Sequence, residues 1–511
     1  MQRTAVIDMG SNSFRLVVYG WEPGSYWQHV DEIREAVRVS AGMSESGAIK
    51  KSRFKRAVQT AVVFASFCEH SGVDDVRPVA TSAIRDASNR DELLAEMKSH
   101  SGLDVRVLST EDETRYGYLA IANTTTVDTG WGLDMGGGSL QLMRVEERQL
   151  RESGSWPLGA VRVSEEFLPG DKPSSKQVKA LRKHVTKAVS GCDWLPDGDG
   201  GEFAGIGGTV RNLAAAAMKR AGHPDTGGVQ AFRLTRDALE ELVQELCGMP
   251  PAKRANVPGI KPDRGDVILG GALVLGALMD RGGFADIQVT DAGLREGVFL
   301  ERFLDDRDPP LVEDVRRAAV LNMANRYGAD LEHAEHVAQL SLQLFDGLRV
   351  AGLADVLGSD ERELLWAACL LHDIGTAVDY DDHHKHSRYL ILNGGLPGFT
   401  PRELELIALI ARYHRKGEPD ASELGPLARK KDDDRLALLA AIIRLAEQLE
   451  RSRDQAIASV RVEAGGNGNG AVVLATEAVG EGAPVAIWSA RRNADLLERV
   501  IGRKVEVAGP E

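Results

Sequence analysis

At 511 residues the chain has room for about three domains at roughly 150 residues each. Its 43% apolar and 27% charged residues describe a globular protein with cores of its own. A formal net charge of −14 excludes general nucleic-acid binding, so an anionic substrate must be met by local cations or by metal ions.

The first strand-like run, Thr4–Ile7, has no basic head and apolar core before it, so no signal peptide is expected. A second run, Phe14–Tyr19, follows after Asp8-Met9-Gly10-Ser11-Asn12-Ser13. Phe54, Ala57, Val58, Ala61, Val62 and Ala65 fall at helical spacing and predict an amphipathic helix over 53–68. The small-residue segment 79–87 carries Arg85, and a helix over 91–100 and a strand over 105–108 come next. The acidic cluster Glu111-Asp112-Glu113 opens a helix that runs to Ile121. Strands alternating with helices predict an α/β lobe over residues 1–125.

A second lobe is expected over 126–304. Near its start Leu133-Asp134-Met135-Gly136-Gly137-Gly138-Ser139-Leu140-Gln141-Leu142 repeats the earlier pattern, Asp-Met-Gly-x-x-Ser between two apolar runs. The match predicts two phosphate-facing hairpins on two similar half-molecules, with glycines bringing backbone N–H groups against an anion. A helix is predicted over 174–189 and a turn at Leu195–Gly201. The strand at 203–206 then runs through Gly207, Gly208 and Thr209 into an alanine-rich helix, a ready anion site. The longest apolar run, 267–279, is broken by glycines and falls short of the roughly 20 residues of a membrane helix.

The charged, proline-paired stretch 305–310 marks the main boundary. Helical spacing recurs over 312–327, 333–348, 361–371, 401–412 and 435–453, predicting a helical domain over 311–455. From 456 to 511 a small α+β domain is expected: a hairpin about the glycines of 465–470, a third strand at 485–488 and a helix over 494–501. Cys68, Cys192, Cys247 and Cys369 show no metal or redox spacing, which fits a reduced, cytoplasmic protein without membrane attachment.

The glycine turns at Gly10, Gly136 and Gly207, with Arg85 and the acidic cluster, describe a site for phosphates and a divalent metal. Phosphoryl transfer to water needs donors for the phosphate oxygens, a cation for the developing charge and a group that orients water. Asp8 and Asp134 are candidates for the metal, Arg85 for a phosphate, and Glu113 for the water. Ser11, Asn12, Ser13, Gly136, Gly137, Gly138, Ser139, Gly207, Gly208 and Thr209 are the candidates to cradle phosphate.

With these motifs in family order, the chain resembles the exopolyphosphatase/guanosine pentaphosphate phosphohydrolase (Ppx/GppA) family. Asp8–Ser13, Ala80-Thr81 with Arg85-Asp86-Ala87, Glu113-Thr114-Arg115, Asp134–Ser139, Leu158–Arg162, Gly205–Thr209 and Gly293–Gly297 carry the resemblance over residues 1–300. It implies two ribonuclease-H-like lobes of the actin, Hsp70 and sugar-kinase type with the site in the cleft between them. It also implies Mg²⁺-dependent release of terminal phosphate from polyphosphate, from guanosine pentaphosphate, or from both, with Mn²⁺ as a second choice of ion. Glu113 matches the water-activating glutamate, Asp134, Gly136 and Ser139 the metal- and phosphate-binding turn, and Arg85 a phosphate-contacting arginine. Where members usually carry glutamate two residues after the turn serine, this chain has Gln141, which keeps a carbonyl ligand but removes one negative charge from the metal site. A homodimer is implied as well.

The helical region resembles the HD-type domain of longer members through His333–Val337, Leu371–Gly375, His383–Ser387, Asn393–Phe399 and Arg412–Lys416. That resemblance implies a second divalent metal on His333, His372, Asp373 and Glu447, with Glu447 standing where aspartate is usual. The other reading makes the segment a positive wall for a polyphosphate chain, built from His383, His384, His386, Arg412, His414, Arg415 and Lys416. Processive exopolyphosphatase is the leading expectation, guanosine pentaphosphate 5′-phosphohydrolase the close rival, and a sensor without turnover the rival of another class.

Overall fold

The computed structural model describes all residues except 44–46, 197, 199, 225–226, 465–469 and 510–511. The fold divides into two compact units, residues 1–222 with 229–315, and residues 316–511 with 223–228. Among the described residues no helix is long and apolar enough to cross a membrane. The apolar run that begins near 267 is instead a buried helix, Ile268–Gly282.

The first unit holds two sheets of related topology. In one, β1 (Gln2–Met9), β2 (Phe14–Glu22), β3 (Tyr26–Glu35), β4 (Asp75–Ala80) and β5 (Arg106–Val107) lie in the order β3-β2-β1-β4-β5. The antiparallel β1-β2-β3 meander is joined on the other side of β1 by parallel β4 and β5. In the other, β6 (Gly130–Met135), β7 (Leu140–Glu146), β8 (Gln149–Trp156), β9 (Glu202–Ile206), β10 (Arg233–Thr235) and β11 (Asp286–Val289) lie in the order β10-β11-β9-β6-β7-β8. Read from β8 to β11, the second sheet repeats the first, and β10 is added antiparallel at its edge. The repeat seen in the sequence is therefore a repeat of architecture: two ribonuclease-H-like halves, each with its glycine turn between the first two strands.

Strands β1 and β6 are buried on both faces and read as continuous apolar runs, as central strands flanked by helices should. The helix Thr110–Thr124 is buried from Glu113 onward except at Arg115 and packs with the helix Leu294–Phe303 on residues of both sheets, with Tyr116, Leu119, Phe299 and Ile206 in one cluster.

The second unit packs the helices Val315–Arg326, Leu331–Val350, Ser359–Leu371, His383–Gly394, Pro401–Tyr413 and Asp432–Leu449 about one core. Its last part is a sheet of β12 (Ile457–Ala464), β13 (Val472–Ala478) and β14 (Val505–Ala508). The expected hairpin is β12 and β13, antiparallel as predicted, while the glycines of its turn at 465–469 lie outside the described residues, as do 197 and 199 of the 195–201 turn. One expectation is corrected. Residues 485–488 are not a strand but part of the helix Ala483–Arg492, with Pro484 in its first turn. Ala483, Ala486, Ile487 and Ala490 are buried at the 3, 4 and 7 spacing of a helix, and the third strand is β14. The helix His383–Gly394 went unpredicted, because its histidines carry little apolar periodicity.

Candidate active site

The two glycine turns close alike. Gly10 N–H donates to Ser13 O at 3.2 Å and Gly136 N–H to Ser139 O at 3.0 Å, so neither turn uses the N–H groups of residues 11–13 or 137–139 for its own closure. The turns also face each other: a Cβ at Gly138 would lie 3.2 Å from Ser82 Oγ and 3.9 Å from Ser11 Oγ. Residues 159–162 buttress the second turn, with Val161 N–H and Arg162 N–H both donating to Gly137 O. The approach is so close that a Cβ at Gly159 would meet backbone atoms of Gly137 and Gly138 at 2.4 Å. The third turn sits at Gly207, whose φ of +105° requires glycine, and opens the helix Gly208–Arg220. Free N–H groups and the helix dipole make that end suited to an anion.

Asp8 and Asp134 end β1 and β6, one in each half. Enclosure pushes Asp134 up to about 6, against the pull of Arg211 and with help from the charge of Asp8. Asp8 is likewise raised by burial, although Arg295 Nη1 lies 3.4 Å from its Oδ2. Two carboxylates that burial and mutual repulsion drive toward protonation are a place where a cation is favoured.

Glu113 stands at the start of the 110–124 helix. Ser109 caps that helix in a reciprocal box with Asp112, at 3.0 and 3.1 Å, which commits Asp112 to the backbone and turns Glu113 inward. Glu113 is 6% exposed, and the guanidinium of Arg85 donates to its Oε1 while also donating to Leu108 O at 3.0 Å. On its other side Gln141 Nε2 lies 3.4 Å from Oε2 and donates to Ser139 Oγ at 3.0 Å. Burial raises Glu113 to about 7 against the opposing charge of Arg85, and Asp134 and Asp8 push the same way as burial. Arg85 is thus bonded through Nη1 to the catalytic candidate.

Sequence reasoning gave no role to Arg211 and Arg295, which the structure brings to these acids. Arg211 donates to Asp291 O and bears on Asp134, and Arg295 faces Asp8. Their signal was an arginine one helical turn past Gly207, just beyond the motif Gly205–Thr209, and another inside the motif Gly293–Gly297 after a strand.

In the second unit, His333, His372 and Glu447 form one group and His372, Asp373 and His414 another, each with ligand atoms within 4.8 Å of one another. Burial would lower His372, but Asp373 and Glu447 prevail and lift it to about 9. The positive wall expected of this segment is corrected: His383, His384 and His414 are 5%, 0% and 2% exposed and face the interior. Of the other members, Arg412 and His386 are half-buried, while Arg415, over the Tyr380 ring at 5.3 Å, and Lys416, 3.2 Å from Asp382, remain at the surface.

The sequence matches the family model of the Ppx/GppA phosphatase family over residues 17–305 and that of Ppx/GppA phosphatase domain III over residues 315–478. Among solved structures, the Ppx/GppA family member of Aquifex aeolicus is 28% identical with a TM-score of 0.54, covering 60% of this chain and 99% of its own. A protein described as exopolyphosphatase-like is 27% identical with a TM-score of 0.53, over 59% and 97%. An exopolyphosphatase from Cytophaga hutchinsonii shares the fold at 20% identity and a TM-score of 0.55, over 59% and 98%.

Proposed function

The chain belongs to the Ppx/GppA phosphatase family and is a phosphoanhydride hydrolase, and from that premise we propose that it removes the terminal phosphate of inorganic polyphosphate. The observation that carries the reading is Glu113, a buried carboxylate fixed by Arg85 within the charge field of Asp8 and Asp134. Its rise to about 7 suits a general base near neutral pH. One Glu113 oxygen is bonded to Arg85, and the other accepts a proton from the water that attacks the terminal phosphorus. The bond between that phosphorus and the bridging oxygen breaks, and the shortened chain leaves as the anion.

Backbone N–H groups of Ser11–Ser13, Gly137–Ser139 and Gly208–Thr209 supply donors for the phosphate oxygens, and Arg211 and Arg295 supply positive charge around them. Asp8, Asp134 and the Gln141 carbonyl are hard oxygen donors, the kind that Mg²⁺ takes, and Mn²⁺ accepts the same set. Bound there, the ion would neutralise charge that develops on the transferred phosphoryl group. Gln141 gives the site one charge less than a glutamate would, which favours weaker ion binding rather than loss of function.

Two solved relatives described as exopolyphosphatase or exopolyphosphatase-like support the choice of substrate. Phosphate release from long polyphosphate, compared with release from guanosine pentaphosphate at equal terminal-phosphate concentration, tests it. A kcat/KM at least tenfold higher for polyphosphate is expected. A preference for guanosine pentaphosphate would overturn the substrate, and turnover of neither would favour a binding protein.

A further inference from the structure

Strand pairing sets a row of charges across the first sheet. Asp8 lies opposite Arg15, and Arg15 opposite Arg34, so the three side chains share one face of β1, β2 and β3. Arginines directly across from one another repel, and each of these two is held by a carboxylate. Arg15 donates to Glu32 of its own sheet. Arg34 takes its carboxylate from the other half: its Nη2 donates to Asp263 Oδ2, while its Nε lies 3.5 Å from Ser13 Oγ in the first glycine turn.

Asp263 belongs to the short turn Pro262–Arg264, which the second half carries beside the glycine turn at Gly207. Lys261 N–H donates to Asn212 Oδ1 at 2.7 Å and ties that turn to the helix Gly208–Arg220. A Cβ at Gly208 would lie 2.8 Å from Arg264 Nη2, so the neighbouring guanidinium lies against the start of the same helix. Burial would raise Asp263, but the hydrogen bond and charge of Arg34, with the charge of Arg264, hold it below the usual carboxylate range. It is therefore an anion at neutral pH, set among cations that both halves bring beside their glycine turns.

The Arg34–Asp263 pair is open to water, its side chains 38% and 32% exposed. Such a pair adds little stability, and a phosphate that forks onto the guanidinium takes the place of the carboxylate. On the premise that polyphosphate is the substrate, we propose that Asp263 is a built-in competitor for Arg34. It occupies that arginine until a chain of linked phosphates, extending beyond the terminal group held by the turns, displaces it. Asp263 thereby determines specificity. A linked chain gains Arg34 in exchange for the broken pair, whereas a single phosphate in the turns never reaches it.

The test is calorimetric titration of the full chain in the Glu113→Gln background at fixed Mg²⁺, with tripolyphosphate and, separately, orthophosphate. Asp263→Asn is expected to tighten tripolyphosphate at least threefold and to leave orthophosphate within twofold. Arg34→Gln weakens tripolyphosphate at least threefold, again with orthophosphate little changed. Asp266→Asn removes the same charge three residues further on, away from Arg34, and leaves both affinities as they were. A damaged fold does not produce a gain of affinity, and Asp263→Ser should repeat it. Unchanged or weaker tripolyphosphate binding in both Asp263 variants would overturn the proposal. An equal gain for orthophosphate, or an equal gain in Asp266→Asn, would also overturn it, since Asp263 would then act as a distant charge only. Absence of phosphate release by the parent chain would sink the hydrolase reading alone, because the titration does not depend on turnover.

Discussion

Residues 111, 112 and 113 are three consecutive acids with three different surroundings. Glu111 is exposed, Asp112 caps the helix that it opens, and Glu113 is buried against Arg85. Because a general base must be deprotonated, activity should rise with pH through the Glu113 pKa, which the protein alone sets at about 7. Arg85 opposes that rise, so Arg85→Gln moves the acid limb of the kcat/KM profile to higher pH, and an unmoved limb would detach Arg85 from the base. At 141 a glutamate would stand within contact of Glu113. Gln141→Glu should therefore shift the same limb upward while lowering the Mg²⁺ concentration needed for half-maximal rate; unchanged Mg²⁺ dependence would remove Gln141 from the metal site. At this scale the sequence named Glu113, Asp8, Asp134 and Gln141, which meet within one charge field. It did not reveal that Arg85 is bonded to Glu113, nor that Arg211 and Arg295 face the aspartates, because helix rotation and strand pairing decide where a side chain ends.

The glycine turns show how elements place chemistry. Each joins the first two strands of its sheet, and each is closed by the same hydrogen bond. The second is held from behind by Gly159, where a Cβ has no room. Gly159→Ala should cost about 1–3 kcal/mol by forced displacement of backbone. It should lower phosphate release at least tenfold even below the melting temperature, measured by calorimetry beside initial rates. A stable variant with full activity would mean that the turn tolerates movement. These turns were legible since a repeated Asp-Met-Gly-x-x-Ser leaves a mark in sequence. The helix 483–492 was misread because four residues are too short a window to separate periods of 2 and 3.6. The helix 383–394 escaped because polar residues fill its inner face, among them His383, His384 and Ser387.

Over the whole molecule, two units carry separate cores, and the boundary near 315 lies close to the charged, proline-paired stretch that the sequence offered. A protein of net charge −14 that takes a polyanion depends on local cations. The KM for polyphosphate should rise several-fold between about 0.05 and 0.3 M NaCl as screening shortens the reach of those charges, with kcat little changed; a salt-independent KM would argue against charge-led binding. The related halves were readable from spacing alone, whereas the arrangement of the histidines required the fold, since residues 333, 372, 383, 414 and 447 come from separate helices and their connections. The central claim is that Glu113 activates water for release of terminal phosphate, and single-turnover release from long-chain polyphosphate by Glu113→Gln measures it most directly. The account predicts a rate lowered by about 10²–10⁴ with substrate affinity kept. Release at the parent rate from a variant lacking that carboxylate would contradict it.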